Sequence, residues 1–284
     1  MLEIRNRVRS EIENRLGALW WPGLAQTLVR ERESRLAFNP AQYSTSHFLG
    51  ADGPSKVLPF DANLTHDRLA LRVEVIETSV ARHFSDRGID LINASEITAA
   101  MGQAIDAATS LICLVPSLAK TVSALVRSVH VLRSTDPGID ISFSDPEVPF
   151  SIFLSVSEGA QADLRIAEAI IHESMHLQLS LVEKLVPLVI DDQITPYSPW
   201  KQSNRPLSGV IHALYVFRVI DEWLASISTS DADADVQYIS QRRIQIADEI
   251  KELNLAGCES GFTGEGRKLL SRLLCATDIS FQTC

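Results

Sequence analysis

The strongest constraint on the fold of this chain is an apolar run, from about residue 162 to residue 186, that contains the sequence His-Glu-x-x-His. Apolar residues recur at helical spacing and cover most of the circumference, which predicts a buried α-helix. His172 and His176 would then share one face and could bind one metal ion, with Glu173 beside them. Two imidazoles and a carboxylate are costly to bury without a partner, and a metal ion supplies one.

The third metal ligand is not part of this motif, although a catalytic site usually takes three protein ligands. The metzincin proteases need a glycine at position 179 and a histidine at position 182, where this chain has Leu179 and Val182, so that class is excluded. Glu183 follows His176 by seven residues, about 10 Å along a helix, which is too far for the same ion. The third ligand must come from a later element, and the candidates are Asp191, Asp192, His212, Asp221 and Glu222.

Composition indicates an ordinary globular chain. With 284 residues, 45% of them hydrophobic, it can bury one large core or two smaller ones. The net charge of −10 and the absence of a basic block argue against a nucleic-acid surface. Four scattered cysteines, no signal-peptide pattern and no apolar run of 18 residues predict a cytoplasmic protein that neither is secreted nor spans a membrane.

The rest of the chain predicts a mostly helical α+β protein. Helices are expected at about 3–35 with a break at Trp21-Pro22, then at 65–85, 94–114, 117–134, 207–228, 235–254 and 264–276. Two short strands, near 139–143 and 150–156, predict a small antiparallel sheet before the metal helix. A division into a helical region 1–135 and a metal-binding region 136–284, folding as one cooperative unit, is expected. The loop from Phe38 to Asn63 is a candidate lid or peptide contact.

An edge strand beside the His-Glu-x-x-His helix would let an extended peptide add to the sheet, whereas a ribbon that only covers the core is the plain alternative. The connector from Asp191 to Pro206 is rich in Pro, Tyr and Trp and suits a pocket wall. It leads into a helix whose apolar stripe includes His212. That histidine follows His176 by 36 residues and is placed to complete a three-ligand site.

Two motifs in order carry a resemblance to a known family. Tyr197-Ser-Pro-Trp200 and the stretch from Arg205 to Phe217, downstream of His172-Glu-x-x-His176, resemble the HExxH-motif proteins of ribosomal peptide natural-product clusters. Members of that family are regarded as α-ketoglutarate-dependent peptide β-hydroxylases on a metallopeptidase-like scaffold. The resemblance covers about residues 139 to 228. It departs at Lys201, where the family pattern has arginine.

The resemblance implies a zincin-like core and an Fe(II) oxygenase that hydroxylates a precursor peptide. Such enzymes need three facial ligands and open positions for the 2-oxoacid and O₂. His172, His176 and His212 would bind the iron, and Arg205, or next Arg218, would bind the distal carboxylate of α-ketoglutarate. Further predicted cosubstrate contacts are Trp200 and Tyr215.

Glu173 separates this hypothesis from two alternatives. In a zinc metallopeptidase it would be the general base that deprotonates metal-bound water, whereas an oxygenase needs no such base. In an oxygenase it could orient the site or contact cosubstrate or peptide. The second alternative is a non-catalytic module that recognises a peptide on a metallopeptidase fold.

Overall fold

The computed structural model describes residues 1–36, 56–57, 69, 71–75, 84–85, 89–93, 95–133, 140–145, 150–156, 158–228 and 233–275. Its helices are α1 (Leu2–Glu13), α2 (Pro22–Leu36), α3 (Ala99–Cys113), α4 (Pro116–Leu125), α5 (Ala162–Glu183), α6 (Leu207–Ile227), α7 (Asp233–Glu252) and α8 (Gly264–Cys275). Its strands are β1 (Lys56–Val57), β2 (Arg72–Val75), β3 (Ser128–Leu132), β4 (Ser142–Phe143), β5 (Ser151–Ser155), β6 (Tyr197–Ser198) and β7 (Ser203–Asn204). The predicted class, a mostly helical α+β protein, is confirmed.

The main sheet is mixed, which corrects the antiparallel sheet expected from the sequence. Its strand order is β1-β2-β3-β5-β4, with β2–β3 and β3–β5 parallel and the outer pairs β1–β2 and β4–β5 antiparallel. All five residues of β3 and all five of β5 are buried, as is usual for parallel strands covered on both faces. Helices α3 and α4 lie in the connection between β2 and β3, because parallel neighbours need a long crossover.

Two predicted helices are wrong in part for the same reason. The helix expected at 117–134 ends at Leu125, and the residues that follow it, Ser128–Leu132, form β3. Within the range 65–85, Arg72–Val75 forms β2. Both strands are short runs rich in valine, for which burial on both faces removes the alternation that identifies a strand. The predicted loop from Phe38 to Asn63 lies outside the described residues except for Lys56–Val57.

The breaks between helices follow from local chemistry. Thr98 caps α3, because its side chain accepts a hydrogen bond of 3.2 Å from the backbone N–H of Met101. Pro116 occupies the first turn of α4, where its missing N–H costs nothing. The predicted break at Trp21-Pro22 is confirmed, since α2 begins at Pro22.

The chain forms two compact units. The sheet unit comprises residues 29–177, and the helical unit comprises residues 1–28 and 178–284. The boundary predicted near residue 136 falls between β3 and β5, which are paired neighbours in the sheet. Of the helices in the described part of the chain, none is long and apolar enough to cross a membrane.

A small aromatic core holds the sheet unit together near β4 and β5. Phe84, Leu132 and Phe153 are buried against one another, and the Phe143 ring stacks on Phe153 with centroids 4.4 Å apart. His130 on β3 stacks on the same ring at 4.8 Å, and its Nδ1 lies 3.0 Å from the backbone oxygen of Glu74. His130 is therefore part of the packing of the sheet unit.

In the helical unit, α1 is tied to α8 by charged side chains. Arg9 pairs with Glu265 at 2.8 Å and Lys268 pairs with Glu13 at 2.6 Å. Between them Arg272 is buried, and it donates a hydrogen bond of 2.7 Å to the backbone oxygen of Glu11. One of the last carbonyls of α1 therefore obtains a partner from α8.

Candidate metal centre

The two histidines of the motif lie together on the one partly exposed face of α5. Ile170, Ile171, Ser174 and Met175 are buried, whereas the His172 side chain is 26% exposed and His176 is also partly exposed. The Nε2 atoms of the two imidazoles are 3.1 Å apart. Since a zinc–nitrogen bond is about 2.0–2.1 Å, one ion could contact both nitrogens.

Glu173 is buried beside this pair and is held by the sheet. It is 3% exposed, and its Oε1 lies 4.0 Å from His172 Nε2. The same oxygen accepts a hydrogen bond of 2.7 Å from the Ser142 hydroxyl on β4. The carboxylate is therefore fixed next to the imidazoles by a strand that lies 31 residues earlier in the chain.

His212, the predicted third ligand, lies on α6 in the helical unit. Its Nε2 is 2.8 Å from the Oε2 of Glu183, and the two side chains are 14% and 24% exposed. If the carboxylate accepts a hydrogen bond from the protonated Nε2, only the other nitrogen, Nδ1, is left to bind a metal. The assignment of His212 as the third ligand remains a prediction.

The other candidate ligands serve other contacts in the structure. Asp191 accepts from the backbone N–H of Gln193 in a local turn. Asp192 accepts two hydrogen bonds of 2.8 Å from Ser208, one from its N–H and one from its hydroxyl, at the start of α6. Asp221 binds Arg218 and Arg243, and Glu222 accepts from the N–H of Leu19.

The two arginines predicted to bind α-ketoglutarate differ in their surroundings. Arg205 is exposed just before α6, with its backbone N–H bound to the Pro196 oxygen. Arg218 is 5% exposed and donates to Asp221 at 3.0 Å. Burial lowers the pKa of Arg218, and the charge of Asp221 opposes that shift. Arg205 is the one of the two that can reach a ligand without breaking a buried ion pair.

The two aromatic residues predicted to contact cosubstrate are also placed differently. Trp200 stacks on Phe217 with centroids 5.3 Å apart. Tyr215 is fully buried, stacks on Trp21 at 5.0 Å, and has its hydroxyl 2.7 Å from Gln178 Oε1 and 3.0 Å from the Leu19 oxygen. Burial raises the pKa of Tyr215 well above its ordinary value. The hydroxyl of Tyr215 is already engaged inside the protein.

The structure brings together two of the three predicted metal ligands. In the described residues, no three His, Cys, Asp or Glu side chains meet in a group that could hold a metal ion. The donor chemistry of His172 and His176 fits a borderline ion such as Fe(II) or Zn(II), both of which accept imidazole. The fit of this site to such a metal ion therefore rests on the two imidazoles.

Two contacts of this region were not predicted. Ser142 had no signal in the sequence, because its partner Glu173 is distant and the register of β4 cannot be derived from a two-residue strand. The sequence placed Glu183 too far from His176 to bind the same ion but gave it no partner, and in the structure its partner is His212. Because Glu183 follows His176 by seven residues, helical periodicity predicts that both lie near one face of α5. It does not predict the contact between Glu183 and His212.

The described chain thus combines a mixed sheet with a His-Glu-x-x-His helix whose glutamate is bound to the edge strand. A scan against models of known protein families finds no match for the chain, and no curated protein matches it either.

Proposed function

We propose that this protein is an Fe(II)- and α-ketoglutarate-dependent oxygenase that β-hydroxylates a residue of a ribosomally made precursor peptide. The observation that carries the proposal is the pair of imidazoles on α5, whose Nε2 atoms lie 3.1 Å apart on a partly exposed face. The resemblance of residues 139 to 228 to the HExxH-motif peptide-modifying proteins supplies the reaction class. The mixed sheet beside the helix is compatible with a zincin-like core.

His172 and His176 would hold the ion, and His212 would complete the set. When bound, the ion supplies activation of O₂ coupled to decarboxylation of α-ketoglutarate to succinate. Arg205 is suited to bind the distal carboxylate of the cosubstrate, since its guanidinium is exposed and a guanidinium binds carboxylates with two parallel hydrogen bonds. Trp200, which stacks on Phe217, is the aromatic candidate for the wall beside it.

The edge strand β4 is the proposed contact for the peptide. Ile141 uses both its backbone groups toward β5: its oxygen accepts from the Ser155 N–H at 2.8 Å, and its N–H donates to the Ser155 hydroxyl at 2.9 Å. Because backbone groups alternate in direction along an antiparallel strand, those of Ser142 point away from β5. An extended peptide could pair there.

A zinc metallopeptidase is the second candidate, and the position of Glu173 favours it. A buried carboxylate 4.0 Å from His172 Nε2 is near enough to the metal position to act on a bound water. The third candidate is a peptide-binding module without catalysis, which does not require a buried carboxylate beside two imidazoles.

The experiment that separates the three compares wild type with Glu173→Gln, each reconstituted with Fe(II) under argon and, separately, with Zn(II). For the oxygenase we expect α-ketoglutarate-dependent succinate formation that survives in Glu173→Gln and is abolished in His172→Ala. Peptide cleavage by the zinc form that disappears in Glu173→Gln would instead establish the peptidase. Binding of the peptide without either product would leave a recognition module.

A further inference from the structure

Within the sheet unit, a single hydrogen bond joins Glu173 of the motif to Ser142 on the edge strand β4. The hydroxyl of Ser142 donates to Oε1 at 2.7 Å, the length of a charge-assisted O–H···O bond. A carboxylate oxygen with a fixed donor is held in one rotamer. We propose that Ser142 is a positioning residue, which fixes the Glu173 carboxylate beside His172 for the metal centre.

The surroundings of Ser142 hold it in place. Asp140 pairs with Arg165 of α5 at 3.3 Å, which ties the start of the strand to the helix. Ile141 is bound to Ser155 through both of its backbone groups. On the other side Phe143 stacks on Phe153 with the ring planes only 4° apart. Each of the three residues around the hydroxyl is thus anchored, and a donor on an anchored strand can orient its acceptor precisely.

The side chain and the backbone of Ser142 point in different directions, so β4 can contact both the motif helix and the edge of the sheet. Its side chain faces α5 and Glu173, while its backbone N–H and C=O face away from β5, toward the edge of the sheet. One residue therefore connects the sheet edge to the carboxylate. In the proposed oxygenase, this connection would let the orientation of Glu173 depend on the position of β4. This inference rests on the proposed metal chemistry.

The test is a double-mutant cycle with Ser142→Ala, Glu173→Ala and the double variant, on the 284-residue protein reconstituted with Co(II). The visible absorption bands of Co(II) report the geometry of its ligands and do not require turnover. We expect Ser142→Ala to weaken Co(II) binding about tenfold or more and to shift the bands, since loss of a partner that orients a metal site typically costs 10- to 100-fold. In the Glu173→Ala background, which has no acceptor for the hydroxyl, Ser142→Ala should have no further effect.

Two variants separate positioning from packing. Ser142→Thr keeps a hydroxyl on a strand that accepts β-branched residues, so it should restore the wild-type bands and affinity. Ser174→Ala is the matched control, because the Ser174 hydroxyl donates to the backbone oxygen of Ile170 in its own helix, at 2.6 Å, and the variant should leave the bands unchanged. Equal losses from Ser142→Ala in both backgrounds, or failure of threonine to restore the bands, would show a packing role and overturn the proposal.

The same samples distinguish failure of this inference from failure of the proposed function. If Co(II) bands shift as expected but the Fe(II) form makes no succinate, Ser142 positions Glu173 in a protein that is not an oxygenase. If succinate forms and kcat and the bands are unchanged in Ser142→Ala, the oxygenase stands and the positioning role is wrong. Wild-type protein that binds no Co(II) would contradict both.

Discussion

At the residue scale, His172 and His176 were chosen as the metal pair because they lie side by side and are partly exposed on an otherwise buried helix. His130 is placed differently. It is 1% exposed, and its Nδ1 contacts a backbone oxygen. Exposure and the presence of a second imidazole, rather than residue type, separate a candidate ligand from a structural histidine.

The third ligand can be tested by metal content. His212→Ala should reduce bound Fe(II) after anaerobic reconstitution from about one ion per chain to a small fraction, because two imidazoles alone hold an ion weakly. Asp192→Asn is the control, since Asp192 binds Ser208 at the start of α6 and should keep the ion. Full metal content in His212→Ala would move the assignment to Asp191, Asp192, Asp221 or Glu222, and loss of the ion in Asp192→Asn would single out Asp192.

The cosubstrate arginine can be tested by kinetics. Arg205→Ala should raise the KM for α-ketoglutarate about tenfold or more, because it removes a charged partner of the distal carboxylate. Arg218→Ala is the contrast: it breaks a buried ion pair with Asp221 and should lower the free energy of unfolding by about 3 kcal/mol. An unchanged KM in Arg205→Ala would shift the assignment to Arg218 or Lys201.

His130 should make stability depend on pH. Burial lowers the pKa of His130 from about 6.5 to about 4, although the bond to the Glu74 oxygen opposes the shift. Between these values the unfolded chain binds more protons than the folded chain, so the free energy of unfolding falls as the pH falls. From pH 7 to pH 5 we expect a loss of about 2 kcal/mol from this residue in urea titrations.

His130→Asn is the comparison for that measurement, because asparagine does not titrate in this range. The variant should be less stable at pH 7 and should lose less stability between pH 7 and pH 5 than wild type. The same pH dependence in both proteins would show that His130 is not buried as a neutral imidazole.

At the scale of elements, the packing of α8 shows how closely the helical unit is built. A Cβ placed on Gly266 would lie 2.0 Å from the Leu188 oxygen and 2.9 Å from the Leu188 carbonyl carbon, both backbone atoms that cannot move aside. The Thr263 N–H and hydroxyl bind the same segment, with the N–H 2.9 Å from the Leu188 oxygen. The start of α8 therefore packs directly on the backbone after α5.

Gly266→Ala should lower the free energy of unfolding by about 2–4 kcal/mol, because the backbone must shift to admit the methyl group. Gly264→Ala, two residues earlier at the first position of α8, meets nothing within 4 Å and should change stability by less than about 0.5 kcal/mol. Urea unfolding of the two variants checks this contrast. Equal effects would mean that α8 does not approach Leu188 so closely.

The elements that the sequence predicted well are those with long helical periodicity. Helices α5 and α6 begin at the expected residues, and they end three residues and one residue before the expected ends. The agreement is close because their apolar stripes extend over 20 residues or more. The parallel strands β2 and β3 were assigned to helices, since short buried strands lack alternation. The position of β4 was anticipated, but not its bond to Glu173, because a contact across 31 residues leaves no local pattern.

At the scale of the whole molecule, the predicted site residues are divided between the two compact units. The imidazole pair and Glu173 belong to the sheet unit, and His212 and Arg205 belong to the helical unit. The His-Glu-x-x-His motif identified the imidazole pair, and the later apolar helix supplied His212 as the candidate third ligand. The division into compact units falls within α5, between Leu177 and Gln178, where the uninterrupted apolar pattern of the helix gives no sign of it. The domain boundary predicted near residue 136 stays a prediction.

The most direct test of the proposed function follows both products in one reaction. Protein reconstituted with Fe(II) under argon is mixed with α-ketoglutarate and a precursor peptide encoded beside its gene, and then exposed to air. We expect succinate and a peptide heavier by one oxygen atom in equal amounts, with neither formed by His176→Ala. Peptide fragments without succinate, or succinate whose yield is independent of the peptide, would contradict a peptide hydroxylase.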